Sequence, residues 1–118
     1  MLKFICYPKC TTCRKAKKWL DDNKIKYELR DIKIDNPTFE ELTAWYSLSR
    51  LPLRKFFNTS GLLYKSLDLK NKLPSMTEEG MLSLLAKDGM LVKRPLLIGE
   101  DFVIVGFKEQ EWAEKFIK

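Results

Sequence analysis

The apolar and polar positions in the first third of the chain follow a strand-like, then a helix-like, then again a strand-like period. Residues 2–6 form a short apolar run, which is typical of a buried strand. Residues 26–32 alternate polar and apolar side chains and predict a second strand. Between them, residues 11–23 predict a helix with one apolar face, which carries Cys13, Ala16 and Leu20.

The middle of the chain, about residues 37–90, predicts helices and no strand. Thr38 and Glu41 have the spacing of a capping box, which predicts a helix that runs from there to about Leu48. Three further segments follow: a short helical piece over 53–61, opened by Pro52 and ended by Gly61; a helix or loop over 65–72; and a helix over 75–87, capped by Thr77.

The last quarter returns to strands. Residues 96–98 and 102–105 are short apolar runs with a Gly-Glu-Asp spacer, which favours an antiparallel hairpin. Residues 108–117 predict a closing helix with Trp112 and Phe116 on one face. The order βαβ, helices, ββα fits the α/β fold of thioredoxin or glutaredoxin, with a mixed four-stranded sheet. We expect a single domain over residues 1–118, with a helical insertion at about 37–90.

The composition of the chain limits the cellular compartments and partners that we expect for the protein. No apolar run approaches the roughly 20 residues of a membrane span, and the short charged N-terminus does not have the pattern of a signal peptide. We therefore expect a cytoplasmic monomer with no membrane partner, in a reducing compartment where a cysteine pair is more often catalytic, redox-sensing or metal-binding than structural. The net charge is +6, but lysines and acidic residues are mixed along the chain. That mixture favours a solvated surface over direct nucleic-acid binding.

Cys10 and Cys13 form a Cys-x-x-Cys motif at the first strand-to-helix junction, and the chain has one further cysteine, Cys6. A structural zinc site usually needs four Cys or His ligands, whereas this chain has three cysteines and no histidine. Cys6 lies inside the first predicted strand, so its side chain can point away from the other two. We interpret Cys6 as a small buried hydrophobic residue.

Thiol chemistry is the interpretation that best suits Cys10 and Cys13. A Cys-x-x-Cys motif that opens a helix inside a βαβ unit is typical of redox sites. The first helical turn has unpaired N–H groups and the positive end of the helix dipole, and Arg14 with its neighbouring lysines adds positive charge. Such surroundings can lower the pKa of a cysteine from about 8.5 to roughly 3.5–7.5. Cys10 would be the attacking thiolate, and Cys13 would resolve a mixed disulfide or close an intramolecular one.

Arg94 and Pro95 precede the predicted hairpin. In a thioredoxin-like sheet this junction faces the active-site loop, where a cis proline is expected, although most X-Pro bonds are trans. Arg94 would then point its guanidinium towards Cys10 and stabilise a thiolate or an oxyanion. The alternative, an ordinary surface arginine, is equally compatible with the sequence.

Four segments carry a resemblance to a known family: YPKCTTCRKAKKWL, KFFNTSG, LLAKDGMLVKRPLLIG and VGFKEQEW. Over essentially the whole chain, the sequence resembles the glutaredoxin-type arsenate reductase (ArsC) family, in particular its Spx and MgsR-like branch. The resemblance implies a thioredoxin-like sheet with a helical insertion. It also implies that Cys10 is the catalytic cysteine, with Arg14 at the matching spacing and Arg94 before a cis proline.

Arsenate reductases of this family place three arginines around the oxyanion, and this chain departs from that pattern. Arg94 matches one of them, whereas the other two positions align with Asn58, one turn from Arg54, and with Gly106. Each hydrogen bond to a charged group contributes roughly 1.5–3 kcal/mol. We therefore expect weak arsenate binding.

The resemblance leaves two functions open. The first is a cytosolic thiol–disulfide oxidoreductase with a redox-active disulfide between Cys10 and Cys13. It would use no metal, nucleotide or flavin, and its partners would be a disulfide substrate protein and an external dithiol reductant such as thioredoxin or a small thiol. The second is a redox-sensing transcription regulator of the Spx type, which would bind the C-terminal domain of the RNA polymerase α subunit.

Overall fold

Short strands at both ends of the chain form one mixed sheet. The computed structural model describes residues 2–117. Its strands are β1 (Lys3–Cys6), β2 (Glu28–Asp31), β3 (Leu96–Ile98) and β4 (Val103–Val105), and they lie in the order β2-β1-β3-β4. β1 pairs parallel with β2 and antiparallel with β3, and β3 pairs antiparallel with β4. This arrangement confirms the thioredoxin-like mixed sheet and the hairpin that the sequence predicts.

Helices connect and cover the strands. α1 joins β1 to β2, α6 follows β4, and the other helices lie between β2 and β3. Their bounds are α1 (Thr11–Asp22), α2 (Phe39–Ser49), α3 (Leu62–Ser66), α4 (Leu69–Lys72), α5 (Glu78–Leu85) and α6 (Glu109–Phe116), with 3-10 turns at Leu53–Phe56, Leu73–Ser75 and Gly89–Leu91.

The sheet separates two apolar clusters. Phe4 and Cys6 of β1 face one side and pack with Cys13, Ala16 and Leu20 of α1 and with Trp112 of α6. Ile5, between them in the strand, faces the opposite side, where the helices between β2 and β3 supply most of the cluster. This is the alternation that a strand buried on both faces requires. It fixes α1, and with it the cysteine motif, over the carboxyl end of β1.

Local capping signals were predicted correctly. The Thr38 hydroxyl accepts a hydrogen bond from the Glu41 N–H at 3.1 Å, and the Glu41 carboxylate accepts one from the Thr38 N–H at 3.0 Å, which completes the capping box of α2. Thr77 accepts from the N–H of Gly80 at 3.0 Å and caps α5. These caps are recognisable in sequence because both partners lie within one turn.

The segment after Pro52 differs from the prediction. The helical piece ends at Phe56 rather than at Gly61, because the chain then becomes extended and pairs with a distant segment. The N–H of Asn58 donates to the carbonyl of Leu91 at 2.8 Å, and the N–H of Lys93 donates to the carbonyl of Phe56 at 2.7 Å. Gly61 is the N-cap of α3 instead of a terminator. The residues predicted as a helix or loop form parts of two short helices, α3 and α4, with Asp68 in the left-handed region at φ 54° between them.

None of the helices within residues 2–117 is long and apolar enough to cross a membrane.

Candidate functional site

Cys10 lies where the turn after β1 becomes α1. It is the N-cap residue of that helix, with an extended backbone at φ −84° and ψ 125°. Its N–H donates to the carbonyl of Tyr7 at 2.9 Å, and its carbonyl accepts from the N–H of Arg14 at 3.0 Å. The Cys10 side chain makes no capping hydrogen bond to α1 and is only partly buried. Cys10 therefore lies directly before the first turn of α1 and is partly accessible to solvent.

Cys13 has a different environment. It is 1% exposed and belongs to the apolar cluster between the sheet and α1. The backbone N–H of Tyr7 donates to its sulfur at 3.3 Å. A hydrogen bond with Cys6 and burial both raise the pKa of Cys13 above its ordinary value. Cys13 is thus a protonated, shielded thiol, one helical turn inside the accessible Cys10.

Cys6 corrects one expectation. It is buried as predicted, at 4% exposed, but its side chain does not point away from the other cysteines. Cys6 ends β1 on the same face as Phe4, towards α1, and it packs in the same buried cluster as Cys13. The strand alternation alone could not settle this direction, because both faces of β1 are covered.

Arg94 lies two residues before β3 and next to the ring of Tyr7. The Arg94–Pro95 peptide bond is cis, as predicted. The guanidinium donates to the carbonyls of Met90 and Val92, both at 3.4 Å, and its central carbon lies 5.4 Å from the centre of the Tyr7 ring. Its Nε is buried and has no hydrogen-bond partner within residues 2–117. Arg94 is therefore held against Tyr7, the first residue of the loop 7–10 between β1 and α1, which we call the cysteine loop. A direct interaction of Arg94 with Cys10 stays a prediction.

Arg14 is exposed on α1, and its Nε donates to the carbonyl of Pro8 at 2.9 Å. This bond ties the first turn of the helix to the preceding loop, so that Arg14 fixes the loop from outside. Its predicted role beside a thiolate remains a prediction.

Tyr7 is a site residue that sequence reasoning missed. Its backbone N–H reaches Cys13 and its ring supports the guanidinium of Arg94, so one residue connects the cysteine motif with the hairpin junction. Its place directly before a proline and three residues before Cys10 was the only available signal.

Sequence reasoning also missed Lys93, which lies near one of the two positions where this chain lacks an arginine of the arsenate reductases. Gly106 adopts φ +81°, and the Lys93 Cε lies 3.5 Å from the point that a Cβ at residue 106 would occupy. Lys93 therefore puts a cation near one of the positions where arsenate reductases have an arginine. At the other position, the Asn58 carboxamide oxygen accepts a hydrogen bond from Ser60 at 3.3 Å.

A groove of about 1130 Å³ lies between the helices that follow β2 and the edge strand β4. Its charged lining is mostly basic, but neither Cys10 nor Cys13 is among the lining residues; the hairpin junction contributes Lys93. The charged residues are Arg54, Lys55, Lys70, Glu78, Lys93, Lys108 and Glu111.

Within residues 2–117, no group of three or more His, Cys, Asp or Glu side chains is arranged to hold a metal ion.

Comparisons with known proteins agree on one family. A sequence profile of the ArsC family matches residues 6–115. The uncharacterised protein YusI of Bacillus subtilis is 51% identical over 115 residues, which cover 98% of each chain. The regulatory protein MgsR of Bacillus subtilis is 33% identical over 110 residues, which cover 93% of this chain and 86% of MgsR. A crystal structure of an ArsC family related protein from Bacteroides fragilis superposes with a TM-score of 0.93 at 59% identity, over 96% of this chain and 95% of that one.

Proposed function

Because the chain belongs to the ArsC family, we propose that it is a thiol–disulfide oxidoreductase in which Cys10 attacks and Cys13 resolves. The observation that carries the proposal is the contrast between the two sulfurs: Cys10 is accessible at the start of α1, and Cys13 is buried one turn further on. Nucleophilic attack on an outside substrate requires access, whereas a resolving thiol needs only to reach its neighbour.

The reaction proceeds in two exchanges. The Cys10 thiolate attacks one sulfur of a substrate disulfide, so that a mixed disulfide forms and the first substrate thiolate leaves. Cys13 then attacks the Cys10 sulfur, the bond to the substrate breaks, and the second substrate thiolate takes the proton that Cys13 gives up. The products are a reduced substrate and a Cys10–Cys13 disulfide. An external dithiol, such as thioredoxin, reduces this disulfide by the reverse exchange, with no metal, nucleotide or flavin in the cycle.

Electrostatics support this cycle better than arsenate reduction. Arg94 lies over the ring of Tyr7, and the first turn of α1 begins directly after Cys10, so both put positive charge near the segment of residues 7–10. The two other arginine positions of arsenate reductases hold Asn58 and Gly106, and Lys93 replaces a planar, bidentate fork with a single ammonium. We therefore propose a disulfide substrate rather than arsenate.

The 33% identity to a regulatory protein favours a second candidate. In this alternative, Cys10 and Cys13 form a disulfide that switches a protein contact, with the RNA polymerase α subunit as the partner, and no substrate turns over. The two candidates make the same disulfide, so turnover is what separates them.

The test is reduction of a small disulfide by the purified protein at constant supply of thioredoxin and its reductase. We expect steady turnover by the native chain, loss of more than 99% of it in Cys10→Ser, and an accumulating mixed disulfide in Cys13→Ser. Thr12→Ser is the matched control, since Thr12 is exposed between the two cysteines, and it should retain full activity. No turnover by the native protein, together with redox-dependent binding to the C-terminal domain of the polymerase α subunit, would establish the regulator instead.

A further inference from the structure

The third cysteine, Cys6, packs beside Cys13 but has no role in the two exchanges proposed above. Cys6, Cys13 and the buried part of Cys10 belong to one apolar cluster. Cys6 ends β1 and Cys13 lies one turn into α1, and both pack in the same cluster between sheet and helix. The Cys13 sulfur accepts a hydrogen bond at 3.3 Å from the N–H of Tyr7, the residue that directly follows Cys6. Both are almost completely shielded from solvent, at 4% and 1% exposed.

The order of the three sulfurs determines which exchanges they can make. Cys13 packs with Cys6 in the buried cluster under α1, beside the end of β1, whereas Cys10 lies partly buried at the edge of the same cluster. Thiol–disulfide exchange requires the attacking sulfur to reach one sulfur of the disulfide. In a Cys10–Cys13 disulfide, the Cys13 sulfur would stay in the buried cluster that also contains Cys6.

We propose that Cys6 is a second resolving thiol that moves the disulfide into the protein interior. This inference rests on the proposed function, which supplies the Cys10–Cys13 disulfide. The Cys6 sulfur attacks the Cys13 sulfur, a Cys6–Cys13 bond forms, the Cys10–Cys13 bond breaks, and the proton from Cys6 is transferred to Cys10. The step is an isomerisation and consumes no oxidant.

The consequence of the step is a free Cys10 in an oxidised protein. Cys10 can then react with a second disulfide, which gives a mixed disulfide that no thiol resolves, because Cys13 is occupied. A protein with only the Cys10–Cys13 pair would stop at one internal disulfide and a free Cys6. The two mechanisms therefore differ in what the fully oxidised chain carries.

The sequence allows a direct readout by peptide mapping. Trypsin cleaves after Lys3, Lys9 and Arg14, so Cys6 lies in the peptide FICYPK, while Cys10 and Cys13 share the peptide CTTCR. A Cys10–Cys13 disulfide stays within CTTCR, whereas a Cys6–Cys13 disulfide links the two peptides. Oxidised glutathione is the probe, added in excess to the folded native protein, with remaining thiols alkylated in acid before digestion.

We expect FICYPK linked to CTTCR, with one glutathione on Cys10 and no free thiol. Cys6→Ala should give the internal CTTCR disulfide, with no linked peptides and at least a tenfold smaller glutathione adduct. Cys10→Ser should still form the linked pair under a mild oxidant, which keeps the proposal testable even where Cys6→Ala fails to fold.

Two results would overturn the inference in distinguishable ways. An internal CTTCR disulfide with a free, alkylated Cys6 in the native protein would reject the second resolving thiol and leave the oxidoreductase intact. Absence of any disulfide among the three cysteines would reject both proposals.

Discussion

At the scale of single residues, the three cysteine thiols are chemically identical and differ in their access to solvent: Cys10 is partly exposed, and Cys6 and Cys13 are buried. Cys10 is the N-cap residue of α1, whereas Cys13 is buried and accepts a hydrogen bond from the N–H of Tyr7. Arg94 is held near the cysteine loop by hydrogen bonds to two carbonyls and by the ring of Tyr7. A guanidinium held in this way loses little freedom on stabilising a nearby anion.

This placement predicts a charge-dependent reactivity of Cys10. In Arg94→Gln, the ratio of the alkylation rate with anionic iodoacetate to that with neutral iodoacetamide should fall about threefold to tenfold, as expected for about 0.7–1.4 kcal/mol of screened attraction. Both rates are measured by mass spectrometry of CTTCR.

Lys26→Gln is the control, because it removes the same charge from an exposed residue just before β2, at the opposite end of the sheet from the cysteine loop. An equal fall in both variants would assign the effect to net charge and contradict the role of Arg94.

At the scale of elements, one ion pair joins β2 to the start of α2. The Arg30 guanidinium donates to both carboxylate oxygens of Glu41, at 2.7 and 2.8 Å, and Arg30 is 14% exposed. The same carboxylate closes the capping box through the N–H of Thr38. Glu41 therefore fixes both the first turn of α2 and its position beside the sheet.

The hydrogen bonds from Arg30 lower the pKa of Glu41 from 4.5 to about 2. Because the folded pKa lies below the ordinary one, the stabilisation is fully present above pH 4.5 and is lost as the pH falls towards 2. Glu41→Gln should lower the free energy of unfolding at pH 7 by about 1–3 kcal/mol, with allowance for the partial exposure of the pair, and should flatten its pH dependence in that window.

Urea unfolding followed by circular dichroism measures both effects. Glu40→Gln, an exposed neighbour in the same turn, should change the stability by less than about 0.5 kcal/mol. A similar loss in both variants would show that the charge near the helix start matters, and that the pair with Arg30 does not.

At the scale of the whole molecule, the sheet is covered on both faces, and Trp112 fastens the last helix to it. The indole is completely buried and meets Phe4, Trp19 and Phe107 edge to face. Its Nε1 is buried and has no hydrogen-bond partner in the described part of the chain. Trp112 therefore stabilises the fold through packing alone, and the cost of burying its unpaired N–H reduces that stabilisation.

Trp112→Ala should destabilise the protein by about 3–5 kcal/mol, because it leaves a cavity between α1, α6 and the sheet. Trp112→Phe should cost less than half as much, since it keeps an aromatic ring and removes the unpaired N–H. Urea unfolding monitored by circular dichroism compares them. Equal losses in the two variants would mean that the indole nitrogen has a partner.

The sequence predicted features that depend on neighbours in the chain. The strands, the caps at Thr38 and Thr77, and the cysteine motif at the start of α1 all follow from local periodicity and spacing. Gly61 was misassigned because strand-like pairing between residues 57–58 and 91–92 ends the helical turn early. No local pattern contains that contact.

The site was predictable to the same extent. Cys10, Cys13, Arg94 and the cis proline came from motif and fold, whereas Tyr7, Lys93 and the direction of Cys6 depend on which segments the fold brings together. The catalytic roles of these residues and the division into one domain with an insertion at about 37–90 stay predictions.

The two ends of the helical region between β2 and β3 meet. The side chain of Asn36 donates to the carbonyl of Ala86 at 2.8 Å, and a Cβ at Gly89 would come within 2.0 Å of the carbonyl of Ile32. Because the segment leaves the sheet and returns to it at neighbouring points, its length can vary without changing the direction of the strands. The apolar surface that this segment packs against the sheet cannot vary in the same way, because it buries Ile5, Leu96 and Ile98.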